Sequence, residues 1–216
     1  MIRKIKSSYL STLVGVVFTV SVFALSQNAL AFAIIPVMDI SYSTGSGTGD
    51  QSPSLGLSPL FFKGGGLLFE NTVVNGVRLE WGAIYMVRGF VNNSVSSRFD
   101  FYSMQFPLTV KYYVNRAFFI GLGGYYAHGM GNVYMNPTSG GDTQYSTYGD
   151  LGLSADDFGL LVSMGTKLNL VPRIALFMDV RYLYGLQNIS NIPGVGIRLA
   201  DYQALVGLRF GGEKGD

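Results

Sequence analysis

The chain has 216 residues, of which 48% are hydrophobic and only 13% are charged, and its net charge is +2. It contains 29 Gly, 15 Phe, 14 Tyr, one His and no Cys. Soluble domains usually have about 25% charged residues, so this composition indicates a surface that largely avoids water. The lack of cysteine excludes disulfides, thiolate metal sites and cysteine nucleophiles, and a single histidine excludes any site that needs two.

The N-terminus is typical of a secretory signal peptide. Three basic residues within the first six precede an uncharged run from Leu10 to Leu25, and Ala29-Leu30-Ala31 has the small residues of a signal peptidase site. The run is shorter than the roughly 20 residues that a spanning helix needs. We therefore predict a signal peptide over residues 1–31, cleaved after Ala31. The remaining chain has a net charge of −1, and nothing in it favours a nucleic-acid partner.

Beyond the signal peptide the dominant pattern is period-two alternation. From Ile174 to Leu186 the even positions are apolar or aromatic, whereas the odd positions include Asp179, Arg181 and Gly185. Such alternation predicts strands with one apolar face, and strands of about 9 to 11 residues match the length of a tilted membrane-spanning strand. We predict eight strands, at residues 33–43, 60–71, 77–90, 99–114, 117–130, 157–169, 173–187 and 199–210.

The connections between these strands alternate in length, as they do in outer-membrane barrels. The short turns are residues 72–76, 115–116 and 170–172, and the long links are residues 44–59, 91–98, 131–156 and 188–198. The sequence therefore predicts an all-β fold, an eight-stranded antiparallel up-and-down transmembrane β-barrel over residues 32–210, with a short C-terminal tail at residues 211–216. The even number of strands places both ends of the barrel on the short-turn side, which we expect to face the periplasm.

Aromatic residues recur on the outward faces at a spacing of eight to ten residues. At about 3.4 Å per residue in a tilted strand, this spacing is close to the height of a membrane's apolar band. The predicted aromatic girdle comprises Tyr102, Tyr112, Phe118, Tyr126, Tyr182, Tyr202 and Phe210. Pro107 disagrees with a regular strand because it cannot donate a ladder hydrogen bond, so we expect a bulge or a local break there.

The inward faces carry charged residues, which are costly to bury unless they are paired. The predicted lumen network comprises Arg78, Glu80, Lys111, Lys167, Asp179, Arg181 and Arg209, with Asp39, Glu70 and Arg88 as further candidates. An ion path is the alternative interpretation. Since an eight-stranded barrel is just wide enough for its side chains to fill, we expect a packed lumen and no diffusion pore.

Two further features could carry chemistry or binding. His128 could act as the base of a lipid-modifying enzyme if a serine of the following loop reached it; otherwise it is an interfacial side chain. The loop at residues 131–156 is rich in Tyr, Ser and Gly, which suits an adaptable contact surface for a protein partner, and its acidic residues do not match a calcium-loop spacing. We expect no catalytic residue, no cofactor and no metal.

Several segments resemble one family: Leu79–Tyr85 with Gly89-Phe90, Phe106–Leu108 with Lys111–Tyr113, Gly121–Gly123, and Asp179–Tyr182 with Tyr184–Asn188. Together they resemble the small eight-stranded outer-membrane β-barrel domains, in particular the PorT-like group, over roughly Val77 to Phe210. The resemblance implies residence in the outer membrane, contact with its lipids including lipopolysaccharide, and, as one alternative, an accessory role in envelope protein export. The leading hypothesis is a non-enzymatic, monomeric barrel that displays its loops for structural or binding roles; a lipid-modifying enzyme is the third hypothesis.

Overall fold

The computed structural model describes residues 32–49, 57–93 and 96–211, so the predicted signal peptide and the tail beyond Gly211 lie outside it. The described residues form ten strands and contain no helix long and apolar enough to span a membrane. The strands are β1 (Phe32–Gly49), β2 (Leu57–Ser58), β3 (Leu60–Val74), β4 (Val77–Asn92), β5 (Ser97–Tyr113), β6 (Phe118–Pro137), β7 (Gln144–Ser146), β8 (Asp156–Val171), β9 (Ile174–Gly185) and β10 (Val195–Phe210).

The eight long strands form one closed antiparallel sheet. Following the ring, β1 pairs with β3, β3 with β4, β4 with β5, β5 with β6, β6 with β8, β8 with β9 and β9 with β10. Since β10 also pairs with β1, none of these eight strands keeps an unpaired edge. The predicted all-β, up-and-down barrel is confirmed. The two short strands lie at the long-loop end, where β2 pairs with β4 and β7 pairs with β6.

Most strands extend further at the long-loop end than the sequence predicted. β1 continues to Gly49 instead of residue 43, β6 continues to Pro137 instead of residue 130, and β10 begins at Val195 instead of residue 199. These extensions are rich in Gly, Ser, Asn and Thr, so the apolar alternation ends although the backbone ladder continues. β3 and β9 are the exceptions, because β3 begins at Leu60 as predicted and β9 ends at Gly185, two residues before its predicted limit.

Pro107 interrupts the sheet on one side only. It pairs with Tyr125 on β6, but on the β4 side the ladder skips Gly82 and Ala83 and then resumes in the same register. Of the two predicted irregularities, the structure has the local break and not the bulge. A register shift between β5 and β6 lies nearer the long loops. There, residues 131 and 132 of β6 lie between the partners of Phe101 and Tyr102, and Gly131 has φ of +72°.

The alternation separates an apolar outer surface from a buried interior. Outward side chains such as Met38, Leu122, Met164 and Val180 are exposed. The predicted girdle residues all lie on this outer surface, in two rows: Tyr112, Phe118 and Phe210 near the short turns, and Tyr102, Tyr126, Tyr182 and Tyr202 toward the long loops. Rings of neighbouring strands contact one another in both rows, for example Tyr182 with Tyr202 at 4.9 Å and Phe69 with Trp81 at 4.5 Å between centroids.

Candidate functional site

The barrel interior holds a balanced set of buried charges. Among the described residues, six basic and six acidic side chains are buried. They are Arg78, Arg88, Lys111, Lys167, Arg181 and Arg209, and Asp39, Glu70, Glu80, Asp157, Asp179 and Asp201. Most of them form three clusters along the barrel axis. Because each cluster contains both signs of charge, the interior is a set of ion pairs and not a path lined by one sign of charge.

The middle cluster, which we call the central ring, consists of Glu80, Lys111, Asp179 and Arg181. The Lys111 ammonium lies 2.5 Å from Glu80 Oε2 and 3.2 Å from Asp179 Oδ2. The Arg181 Nη2 atom lies 2.6 Å from Glu80 Oε1 and 2.8 Å from Asp179 Oδ2. Each cation therefore contacts both anions, and all four side chains are fully buried. Removal of any one member leaves a charge without compensation.

The central ring crosses the full width of the barrel. Glu80 lies on β4 and Arg181 on β9, and these strands are four positions apart in a ring of eight, which places them on opposite walls. The ammonium of Lys111 also lies 4.1 Å and 4.4 Å from the ring centroids of Phe119 and Phe177. These two rings stack with their centroids 5.7 Å apart. They have room because position 165 on β8 is Gly, where a Cβ would clash with the Phe119 ring.

A second cluster, the lower cluster, lies toward the short turns around Glu70. Its carboxylate accepts hydrogen bonds from Arg78 at 2.7 Å, from Arg209 at 3.2 Å and from the Tyr113 hydroxyl at 3.0 Å. The Arg78 guanidinium also lies 4.1 Å from the centroid of the Tyr113 ring, and the Lys167 ammonium lies 5.4 Å from the same ring. The structure thus brings the predicted Arg78, Lys167 and Arg209 to one level, around a tyrosine that the sequence analysis did not select.

The third cluster, the upper cluster, lies toward the long loops around Arg88. The guanidinium donates to Asp157 at 2.8 Å and to Asp201 at 2.5 Å, and the Tyr125 hydroxyl donates to Asp157 at 3.0 Å. The sequence analysis included Arg88 but omitted both acidic partners. Strand parity could have identified them, because Asp201 shares the inward face of β10 with Gln203, and Asp157 shares that of β8 with Lys167.

Asp39 differs from the other buried acids. Its side chain is buried, yet neither carboxylate oxygen has a hydrogen-bond partner among the described residues. Its strand neighbours on the ladder are Leu205 on β10 and Gly64 on β3, neither of which offers a polar side chain. A buried carboxylate without such a partner is costly to ionise, so Asp39 contributes little to the paired network.

Apolar side chains close the mouth of the barrel at the long-loop end. Leu153 and Ile189 are buried there against Phe101 and Val133, and Tyr148 packs on the same cluster. We call Tyr148, Leu153 and Ile189 the mouth plug. Tyr148 fits over Gly129, where a Cβ would clash with its hydroxyl, and it donates to the Tyr102 carbonyl oxygen at 3.3 Å.

The mouth plug changes the interpretation of residues 131–156. The sequence predicted an adaptable loop there for contact with a protein partner. Instead, β6 continues into this segment, β7 pairs back onto β6, and residues 148–153 return to the mouth. Burial there raises the pKa of Tyr148 to about 12. Below the plug, a cavity of about 20 Å³ between Tyr148, Ser103 and Arg88 has room for one water molecule.

His128 lies on the outer surface and not in the lumen. Its Nδ1 atom is 2.8 Å from Asp156 Oδ1, which also accepts a hydrogen bond from Tyr126 at 2.6 Å. Within the described residues no serine hydroxyl is hydrogen-bonded to His128. That same part of the chain also contains no group of three or more His, Asp or Glu side chains placed to hold a metal ion.

Comparisons with known proteins identify the family and the fold. A family model described as outer membrane protein beta-barrel domain matches residues 18–191. The outer membrane protein OprG from Pseudomonas aeruginosa aligns with a TM-score of 0.54 and 14% identity, over 84% of this chain and 95% of that chain. Neisserial surface protein A aligns with a TM-score of 0.47 and 15% identity, over 82% of this chain and 97% of that chain. Ail of Yersinia pestis, in complex with the heparin analogue sucrose octasulfate, aligns with a TM-score of 0.41 and 16% identity, over 84% of this chain and 99% of that chain. No curated protein matches the chain.

Proposed function

The chain belongs to the family of outer-membrane β-barrel domains and lies in the outer membrane as a multi-pass protein; on this premise we propose that it is a non-enzymatic, monomeric barrel with a closed lumen, which presents a binding surface at its long-loop end. In this proposal the long loops face the outside of the cell and the short turns face the periplasm, as is usual in bacterial outer-membrane barrels. Because a closed ring leaves no strand edge for association with a second chain, it supports a monomeric state.

The observation that carries the proposal is the central ring. Its ion pairs join opposite walls at the middle of an eight-stranded barrel, whose interior is just wide enough for side chains. The lower and upper clusters fill two further levels, and the mouth plug covers the end. This arrangement supports a structural lumen in place of a channel for ions or nutrients.

The length of the strands supports a role at the cell surface. β6 has 20 residues, which at about 3.4 Å per residue and a tilt of about 40° rise about 50 Å. The apolar band of an outer membrane is only about 25 Å thick. The β6–β7 pair therefore projects beyond the membrane, where Tyr134 and Tyr145 contact each other with ring centroids 5.2 Å apart and Tyr145 is 65% exposed.

An exposed tyrosine on a hydrogen-bonded strand pair suits the contact surface of a protein partner, because tyrosine supplies a large amphipathic surface at low entropic cost. We expect the partner to bind residues 131–156. A photoreactive amino acid in place of Tyr145 should give a discrete protein adduct on whole cells. The same group in place of Tyr202, which is 52% exposed on the girdle, should give lipid adducts only. Failure to obtain any protein adduct from position 145, or the same adducts from both positions, would contradict the binding role.

The non-enzymatic part of the proposal is tested separately at His128. A lipid-modifying enzyme that used this ring as a base would lose activity on His128→Ala. We expect the variant to leave the composition of the extracted lipid A unchanged, measured by mass spectrometry of whole-cell lipid. A lipid A species that is present with the native chain and absent with His128→Ala would establish an enzyme instead.

A further inference from the structure

The strand β3 contains three consecutive glycines, of which the middle one is not explained by the interior. Gly64 and Gly66 face inward, where a Cβ would meet the carbonyl oxygens of Tyr85 and Ala83 on β4. Gly65 faces outward. A Cβ there would make one tight contact, with the Val37 carbonyl oxygen at 3.2 Å, and would meet no other atom within 4 Å. Gly65 therefore leaves a notch in the outer surface, and no side chain of the barrel fills it.

The notch has apolar walls. On the neighbouring strands Gly65 is paired with Met38 of β1 and Tyr85 of β4, and these outward side chains are 70% and 43% exposed. Leu67 follows on the same face toward the short turns and is also exposed. A narrow depression between a methionine and a tyrosine on a lipid-facing surface has the shape and polarity of an acyl-chain site.

A single basic residue stands at the other end of the notch. Lys63 is the next outward residue of β3 toward the long loops, and it is exposed. It lies one outward position inside the aromatic row, since Phe61 follows it and contacts the Tyr42 ring at 4.8 Å. The Lys63 side chain starts within the apolar band and must extend toward the headgroups, because a lysine is costly on the lipid face except near the interface.

Lys63 also differs from Arg98 and His128, two other ionisable residues on this face, in having no protein partner. Arg98 is paired with Asp100, and His128 with Asp156. Among the described residues Lys63 forms no ion pair and no hydrogen bond. Arg198 is exposed and unpaired in the same sense, but it lies four residues beyond Tyr202, outside the aromatic row and in water. Lys63 is thus the cation that an anionic lipid headgroup would neutralise.

We propose that Lys63 and the Gly65 notch hold one lipid A molecule of the outer leaflet, with a phosphate on the Lys63 ammonium and an acyl chain between Met38 and Tyr85. The inference rests on the proposed orientation, because only the leaflet at the long-loop end would then supply lipid A. Its chemistry is an ion pair near the interface, where the low dielectric strengthens the attraction, together with apolar contact along Gly65.

Native mass spectrometry of the detergent-solubilised barrel, titrated with purified lipid A, tests the proposal. We expect one retained lipid A on the native chain and an occupancy lower by about tenfold or more on Lys63→Gln and on Gly65→Leu. Arg198→Gln, which removes an equally exposed charge outside the row, should retain the lipid. Each variant is first checked for a heat-modifiable gel shift, and because all three changes lie on the outer face we expect all three variants to fold.

Equal retention by the native chain and Lys63→Gln would overturn the site, as would equal losses from Lys63→Gln and Arg198→Gln. Preferential retention of phosphatidylglycerol over lipid A would overturn the choice of lipid and leaflet. The same variants, measured for electrical conductance, separate this inference from the proposed function, since a failure of lipid binding leaves the lumen closed.

Discussion

The middle of the lumen and its long-loop mouth are both closed, but by different interactions. The central ring uses four charged side chains that all belong to strands, so its geometry is fixed by the register of the barrel. The mouth plug uses apolar side chains supplied largely by connections between strands, such as Tyr148 and Ile189. The difference implies that the middle can open only if the barrel unfolds, whereas the mouth can open while the strands stay paired.

The largest effect on stability is expected when one charge is removed from the central ring. Arg181→Leu leaves Glu80 and Asp179 facing each other with one cation, and we expect the free energy of unfolding to fall by about 4 kcal/mol. Urea titration of the barrel in lipid vesicles measures it. The control Met178→Leu changes a side chain on the outward face of the same strand and should be nearly neutral. Equal losses from both variants would mean that the inward and outward faces are exchanged.

A matched pair of isosteric changes sharpens the claim that pairing, and not burial alone, stabilises the lumen. Asp179→Asn removes a charge that contacts two cations, and we expect a loss of about 3 kcal/mol. Asp39→Asn replaces a buried carboxyl group whose oxygens have no hydrogen-bond partner, so it should be neutral or stabilising. The same urea titration compares them. A larger loss from Asp39→Asn than from Asp179→Asn would refute the claim.

At the mouth we expect a smaller loss in the free energy of unfolding and a larger gain in the access of solvent to the lumen. Leu153→Ala should cost about 2 kcal/mol and should open a route to Ser103 below the plug. Because the chain has no cysteine, Ser103→Cys provides a single reporter whose labelling by a water-soluble maleimide should become faster. Leu160→Ala removes the same atoms from the lipid-facing surface and should leave the labelling rate unchanged. Unchanged labelling in Leu153→Ala would show that the plug does not seal the lumen.

The smallest effect is expected from Tyr148→Phe, which removes only the hydrogen bond to the Tyr102 carbonyl. We expect a loss of about 1 kcal/mol or less with the ring still in place. Because burial raises the pKa of Tyr148 to about 12, its neutral form is favoured in the folded barrel. Its contribution should therefore be constant below about pH 10, the ordinary tyrosine value, and decline between about pH 10 and 12. Loss of the contribution already near neutral pH would be inconsistent with a buried hydroxyl.

The sequence predicted the features that depend on local pattern. Period-two alternation located the eight long strands, and the parity of each strand placed Arg181, Lys111 and Glu80 on the same inner surface. Which charges meet could not be predicted, because the contact between Glu80 and Arg181 spans 101 residues of sequence and depends on the curvature and register of the closed ring. The pairing of Arg88 with Asp201, 113 residues apart, has the same origin.

The mouth could be predicted least. Tyr148 and Leu153 lie in a segment without alternation, so nothing local shows that they fold back on the barrel. The role of Gly129 in making room for Tyr148 can be recognised only once β6 and that segment are known to be neighbours. The outer end of β6 was missed for a related reason, since residues that project from the membrane need no apolar face.

Electrical recording across a planar lipid bilayer tests the central claim most directly, that an eight-stranded lumen crossed by ion pairs is closed. The refolded chain without residues 1–31 is inserted, and the heat-modifiable gel shift of the same preparation confirms that the barrel is folded. We predict no stepwise conductance from the native chain, nor from Leu153→Ala, because opening the mouth leaves the central ring intact. Reproducible conductance steps from the native chain would contradict the account.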